Sequence, residues 1–178
     1  MKHSLAFFQS DLLAPPSLLT DLPVITDASE LEHFDGYFCF EPKDAYQALH
    51  FYAKLDGHAT GFSLDFTQGA LAWRRSHGGG RKQQIAKACG LKHNWHPSIL
   101  DATGGLGRDA SELRNLGCSL RLIERSPFVA ALLQDAITRA ANHPATQQLF
   151  SLNFQLFQGQ ASQQEGVDVL LQHHPLCC

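Results

Sequence analysis

The sequence of 178 residues lacks any apolar run near the roughly 20 residues that a membrane-spanning helix needs. Its first residues, Met1-Lys2-His3-Ser4, do not lead into the apolar core of a secretory signal peptide. These two absences predict a cytoplasmic protein with no membrane partner. With 44% hydrophobic residues, the chain is nevertheless apolar enough to bury one substantial core.

Cysteines at disulfide-framework or zinc-binding spacing are also lacking. The chain has five scattered cysteines with no Cys-x-x-Cys pair, namely Cys39, Cys89, Cys118, Cys177 and Cys178. This pattern argues against a disulfide framework and a structural zinc site, so we expect reduced thiols. A soft metal could bind His173, His174, Cys177 and Cys178 together, but a disordered tail is the favoured interpretation, and no metal site is predicted.

Acidic residues are missing from one long segment of the chain. Between Phe66 and Leu100 there is no Asp or Glu, but there are six basic residues: Arg74, Arg75, Arg81, Lys82, Lys87 and Lys92. Because the net charge of the chain is only -3, the remainder is acidic. A basic patch on an acidic body is typical of a protein that binds a polyanion, although a solvated basic surface has the same pattern.

The N-terminal part of the chain predicts short elements and a small α/β domain. Alternating aromatic residues predict a strand over residues 36–40, and the spacing of apolar residues over 43–55 favours a short helix. Strict alternation over 61–66, followed by a turn at 68–69 and an apolar piece at 70–73, predicts a hairpin.

The C-terminal part alternates between strand and helix patterns. The segment from Gln83 to Cys89 predicts a helix that Gly90 ends. Strands are then predicted over 98–101, 119–124, 154–157 and 167–171, with helices over 108–116 and 127–141. This alternation predicts a parallel, doubly wound sheet of the Rossmann-like class, and a domain boundary near residues 92–97 that divides the chain into domains 1–95 and 96–178.

A glycine-rich turn stands between the first of these strands and its helix. Asp101 ends the strand, and Gly104, Gly105 and Gly107 let the backbone bend tightly and approach a ligand. Glu124 ends the next strand, at the position where a carboxylate accepts the hydroxyls of an adenosine ribose. An ordinary tight turn with an N-cap aspartate and a surface glutamate is the alternative.

The glycine spacing distinguishes between nucleotide cofactors. The dinucleotide pattern Gly-x-Gly-x-x-Gly fails in both registers, because Leu106 and Ala110 stand where glycine is needed. Carboxylates near a glycine turn stabilise cations such as the ammonium and sulfonium groups of S-adenosylmethionine. The phosphates of a dinucleotide need a cradle of backbone N–H groups instead. A methyl donor is therefore favoured over NAD, and an NAD-dependent oxidoreductase is the less favoured alternative.

Two stretches of this region resemble the ribosomal small subunit methyltransferase J family. They are Asp-Ala-Thr-Gly-Gly-Leu-Gly-Arg-Asp-Ala at 101–110 and Leu-Ile-Glu-Arg-Ser-Pro-Phe-Val-Ala-Ala-Leu-Leu at 122–133. An upstream signature, Asp65-Phe66 followed by Ala-Trp-Arg-Arg-Ser-His-Gly-Gly-Gly-Arg at 72–81, is also similar. The resemblance spans roughly residues 60–170. It implies methylation of the N2 of a guanosine in 16S rRNA, with 16S rRNA or the 30S subunit as the partner.

The resemblance also implies which residues line the S-adenosylmethionine site. Besides Asp101, Gly104 and Gly107, these are Arg108, Asp109, Glu124, Arg125, Gln160 and Ala161. Arg74, Arg75, Arg81 and Lys82 are expected to meet RNA phosphates. Trp73 is expected to be a core residue more than a base-stacking one.

The end of the sequence departs from this family. The family has an Asp-Pro-Met-Phe-Pro-like motif after its fourth strand, whereas here the strand is followed by Gln172-His173-His174-Pro175-Leu176-Cys177-Cys178. The catalytic residues are therefore unassigned, and we expect a truncated or frame-shifted chain with an incomplete sheet of strands 1 to 4. A non-catalytic remnant that binds the cofactor or RNA is the alternative function.

Overall fold

The computed structural model of the protein describes residues 4–10, 13–55, 58–68, 80–159 and 169–171. These residues form two sheets. In spatial order, the first sheet consists of β2 (Val24–Ile25), β1 (Leu5–Phe8), β3 (Gly36–Lys43), β4 (Tyr46–Leu55) and β5 (His58–Phe62). The second consists of β8 (Phe154–Gln158), β7 (Ser119–Glu124), β6 (Ser98–Asp101) and β9 (Val169–Leu171). In the described part of the chain, no helix is both long and apolar enough to cross a membrane.

The first sheet combines parallel and antiparallel pairs. Its central strand β3 pairs in parallel with β1 and antiparallel with β4, and β4 pairs antiparallel with β5. Short 3-10 helices at Ser17–Leu19 and Ala28–His33 flank the sheet. The predicted strand over 36–40 is thus confirmed as part of β3.

The helix predicted over residues 43–55 is wrong, because this segment forms the strand β4. Its side chains alternate between the two faces of the sheet, with the buried Leu49 on the inner face and the ring of Tyr52 stacked 5.0 Å from that of Tyr37 on the outer face. A tight turn, with Asp44 at φ 53°, joins β3 to β4. Cross-strand packing against β3 therefore outweighs the helix-like spacing of the apolar residues.

The predicted strand over 61–66 is also largely wrong. Only its first two residues belong to β5, which pairs with β4 in a hairpin that begins at Leu55↔His58. After Phe62 the chain leaves the sheet, and Leu64 and Phe66 turn into the core. The apolar piece at residues 70–73, including Trp73, lies outside the described residues.

The second sheet confirms the predicted parallel, doubly wound class. All three of its pairings are parallel. The helices are α1 (Gln84–Ala88), α2 (Arg108–Asn115), α3 (Pro127–Asn142) and α4 (Gln147–Phe150).

Helix α3 joins the two sheets through one apolar core. It packs against β4 of the first sheet and against β7 and β8 of the second. The ring of Phe38 on β3 lies 5.9 Å from that of Phe128 on α3, and the ring of Phe66 stacks 5.0 Å from that of Phe150 on α4. The division of the chain into domains at residues 92–97 remains a prediction.

Candidate functional site

The candidate site lies where the order of the parallel strands reverses. The central strand β6 has β7 on one side and β9 on the other, and ligands in open parallel sheets bind beyond the carboxyl ends of the strands at such a point. Asp101 is the last residue of β6 and pairs with Leu122, so β7 extends two residues further, to Glu124. Two carboxylates therefore end adjacent strands at the same edge of the sheet.

The turn after β6 is held by its own side chains and backbone. The buried carboxylate of Asp101 accepts hydrogen bonds from the backbone N of Thr103 at 3.0 Å and from its hydroxyl at 3.3 Å. The backbone N of Gly104 then donates to the carbonyl of Ile123 on β7, at 2.9 Å. These bonds fold the chain back over the tip of the sheet.

Glycine is required where this loop enters helix α2. Gly107 precedes the first helical residue with φ 68°, a left-handed conformation that strains other residues. A Cβ atom at Gly107 would also lie only 2.8 Å from Cδ1 of Leu133 on α3 and 3.0 Å from Cζ of Phe66. The loop is therefore pressed against the core, and a side chain would push it away.

Glu124 connects the loop to the neighbouring strand. One oxygen of its carboxylate accepts from the backbone N of Gly105 at 3.0 Å, and the other accepts from the backbone N of Ser126 at 2.8 Å. The hydroxyl of Ser126 in turn caps helix α3 by accepting from the backbone N of Val129. A carboxylate has about four acceptor positions, so Glu124 can hold the loop and still accept hydrogen bonds from a ligand.

The loop lines an open pocket of about 320 Å³. It is lined by Asp101 and by residues 103–109. The volume is within the range typical of small-molecule sites, about 300 to 1,000 Å³. The glycine backbone, with no side chains in the way, and the adjacent carboxylates fit a nucleoside that carries cationic groups.

The thiol of Cys89 lies close to the carboxylates of the loop. Burial, followed by the charges of Cys118, Asp101 and Asp109, raises the pKa of Cys89 to about 11. A thiol with this pKa is neutral at physiological pH and is a poor nucleophile. The raised pKa of Cys89 thus reflects mainly its burial. Like Cys39 and Cys118, it is a free, buried cysteine.

Most of the predicted cofactor residues lie together in the structure. Asp101, Gly104, Gly107, Arg108 and Asp109 all line the pocket, and Glu124 contacts the loop through Gly105. The exposed Arg125 follows Glu124, and its carbonyl accepts from the side chain of Gln158 at 3.1 Å. Gln160 and Ala161 lie outside the described residues, so their assignment to the site stays a prediction.

The predicted RNA-binding residues are only partly described. Arg74 and Arg75 fall outside the described residues, as do the terminal residues 172–178. The guanidinium of Arg81 donates to the carbonyl of Trp95 at 3.1 Å, which braces the segment that leads to β6. Lys82 is exposed at the end of the 3-10 helix Gly80–Lys82. Arg81 therefore has a structural contact in addition to any contact with RNA.

Two residues that support the pocket, Thr103 and Phe66, were not predicted to do so from the sequence. Thr103 forms the turn with Asp101. The Asp-x-Thr spacing could have revealed this turn, because an aspartate side chain often accepts a hydrogen bond from the backbone N two residues later. Phe66 supports the loop at Gly107 from a distant part of the chain. No local pattern indicates this second contact, because it arises only when the sheets pack together.

Comparisons with known proteins agree with this geometry. The family model described as "Putative SAM-dependent methyltransferase" matches residues 40–171. A solved SAM-dependent methyltransferase from Neisseria gonorrhoeae is similar in structure, with a TM-score of 0.67 and 31% identity over 93% of this chain and 67% of that one. The predicted class of the second sheet is confirmed by this similarity.

Curated relatives carry the name "Ribosomal RNA small subunit methyltransferase J". The Colwellia psychrerythraea relative is 52% identical over 67% of this chain and 43% of its own length. The relative from Shewanella oneidensis is 40% identical over 77% of this chain and 57% of its own length. The chain thus spans about half the length of the curated relatives it matches. These matches confirm the resemblance noted in the sequence, and the chain belongs to the SAM-dependent methyltransferase family.

Proposed function

We propose that this chain binds S-adenosylmethionine and transfers its methyl group to the N2 of a guanosine in 16S rRNA. The observation that carries the proposal is the glycine loop held between Asp101 and Glu124 at the reversal of strand order. The names of the curated relatives support small-subunit rRNA as the substrate.

The residues of the loop have separate roles in this proposal. Glu124 accepts the ribose hydroxyls while it holds the backbone of Gly105, so the loop and the sugar are fixed by one side chain. Asp101 sets the turn and places negative charge beside the pocket, where it favours a bound cation. Asp109, in the first turn of α2, adds a second negative charge to the same pocket.

When bound, S-adenosylmethionine would supply a methyl group on a positively charged sulfur; the guanine N2 nitrogen would bond to the methyl carbon as the carbon–sulfur bond breaks, S-adenosylhomocysteine would leave, and the nitrogen would lose one proton to solvent. The contribution of the described residues is positioning, because a direct displacement needs the reacting atoms aligned. These residues provide a pocket for one of the two reactants.

The proposal is tested by incubating the full 178-residue chain with 30S subunits that lack the modification and with S-adenosylmethionine labelled in its methyl group. We expect label in 16S rRNA, recovered after digestion as N2-methylguanosine. Glu124→Gln should abolish most of the transfer, whereas Glu30→Gln, on the exposed 3-10 helix Ala28–His33, should leave it unchanged.

Labelled rRNA with the methyl group at another position would overturn the guanosine N2 assignment and keep the enzyme class. Binding of S-adenosylmethionine with no transfer would support the alternative, a chain that retains the cofactor pocket without catalysis. Absence of both would contradict the proposed function altogether.

A further inference from the structure

Strand β5 forms one edge of the first sheet and lacks the features that usually protect an edge. Among the described residues it pairs only with β4, and all five of its residues are exposed. It contains no lysine, no proline and no acidic residue, since its sequence is His58-Ala59-Thr60-Gly61-Phe62. The strand at the opposite edge, β2, is only two residues long, which is a common form of protection. The β5 edge is therefore the one suited to accept a further strand.

Pairing with β4 determines which backbone groups of β5 point outward. Successive residues of a strand direct their N–H and C=O groups alternately to the two sides. The backbone N of Lys54 donates to the carbonyl of Asp35, just before β3, at 2.9 Å. Lys54 therefore bonds away from β5, and Ala53, which pairs with Thr60, bonds toward it. The backbone groups of Thr60 are thus used within the sheet, whereas those of the residues on either side of it point outward.

We infer that β5 pairs antiparallel with β5 of a second copy of this chain, across a two-fold axis at Thr60. The first sheets of the two copies then join into one continuous sheet. This inference does not depend on the proposed function, because it concerns a different part of the chain.

The backbone of β5 is complementary to itself in this arrangement. Ala59 lies opposite Gly61 of the partner subunit, and such a pair exchanges two N–H···O=C bonds. The two-fold axis repeats the pair, so that four bonds use all the outward groups of Ala59 and Gly61. By the same symmetry, His58 lies opposite Phe62 of the partner subunit, and Thr60 lies opposite its own copy. Aromatic pairs and Thr–Thr pairs are favourable neighbours across strands.

The side chains of β5 allow a second strand to approach closely. On one face, Ala59 and Gly61 are small, and the ring of Tyr52 lies over Gly61, where a Cβ atom would be 2.3 Å from its Cε1. On the other face, the ring of Phe62 is 44% exposed and lies 6.0 Å from that of Phe51. A second strand therefore meets no bulky side chain of β5 on the first face and covers an exposed apolar ring on the other. No charged groups of β5 are brought together.

The test is sedimentation equilibrium of the full chain in the presence of a reducing agent, so that disulfides make no contribution. We expect a mass of 19.6 kDa at low protein concentration and twice that mass at high concentration. Because the pairing is only five residues long, the dissociation constant should be on the order of tens of micromolar.

Charge at position 60 tests the position of the two-fold axis. Thr60→Lys alone and Thr60→Glu alone should each raise the dissociation constant at least about tenfold, because the axis places like charges directly opposite each other. An equimolar mixture of the two variants should form dimers again, since opposite charges then face each other. Thr60→Gln is the uncharged control and should dimerise like the original protein.

Amide hydrogen exchange followed by NMR gives a second readout. The amides of Ala59 and Gly61 should exchange rapidly in the monomer and slowly once the dimer forms, whereas that of Thr60 should be protected in both states. The inference is overturned by a chain that stays monomeric at every concentration, or by a dimer that Thr60→Lys leaves intact. It is equally overturned if the mixed variants stay monomeric, or if the amides of Ala59 and Gly61 are already protected in the monomer.

Discussion

Replacing Asp135 with alanine is expected to lower the free energy of unfolding by about 3 to 5 kcal/mol. One oxygen of this carboxylate accepts from the backbone N of Leu49 on β4 at 3.1 Å, and from Nε and Nη2 of Arg139 at 2.9 Å each. Arg139 also donates to the carbonyl of Leu64 and is only 7% exposed. Alanine would leave a buried guanidinium without its counter-ion at the junction of the two sheets.

Urea denaturation followed by circular dichroism measures this loss. The neighbouring substitution Gln134→Ala, on the exposed face of α3, should change stability by less than about 0.5 kcal/mol. The double variant Asp135→Leu with Arg139→Met should recover much of the loss, because it removes both charges together. A loss at Asp135→Ala no larger than that at Gln134→Ala would contradict this account of the junction.

Gly107→Ala is expected to cost about 2 to 5 kcal/mol of stability and to weaken S-adenosylmethionine binding. A left-handed backbone conformation costs a non-glycine residue about 1 to 2 kcal/mol, and overpacking against Leu133 and Phe66 adds about 1 to 3 kcal/mol. The new methyl group displaces the loop from the core, which moves the lining of the pocket.

Gly80→Ala provides the matched control for this prediction. Gly80 has a similar φ of 55°, but among the residues that the structure describes no atom lies within 4 Å of the position its Cβ would take. Gly80→Ala should therefore lower the free energy of unfolding only by the cost of the left-handed backbone, about 1 to 2 kcal/mol. If thermal or chemical denaturation gave equal losses at the two glycines, the close contact between the loop and the core would have no energetic role.

The second sheet could be predicted from the sequence almost to the residue. Strands β6 and β7 carry mostly buried apolar residues, and the helices begin and end at clear signals such as Pro127 and Gly90, so the local pattern and the final structure agree. The strand β4 could not be predicted from the sequence, because its aromatic and apolar residues also fit a helical spacing. Only pairing with β3 decides between the two.

The candidate site was predictable in its residues but not in its connections. The positions of Asp101 and Glu124 at strand ends follow from the order of elements. The bond from Gly105 to Glu124 does not, since it depends on how the loop folds over the neighbouring strand.

The most direct test of the central claim is an NMR titration of the full chain, labelled with nitrogen-15, with S-adenosylmethionine. We predict saturable shifts in the backbone amides of residues 103–107 and of Glu124 and Ser126, and binding at least about tenfold weaker in Glu124→Gln. Shifts confined to other parts of the chain, or equal affinity in Glu124→Gln and the original protein, would contradict the claim that this loop and its two carboxylates hold the cofactor.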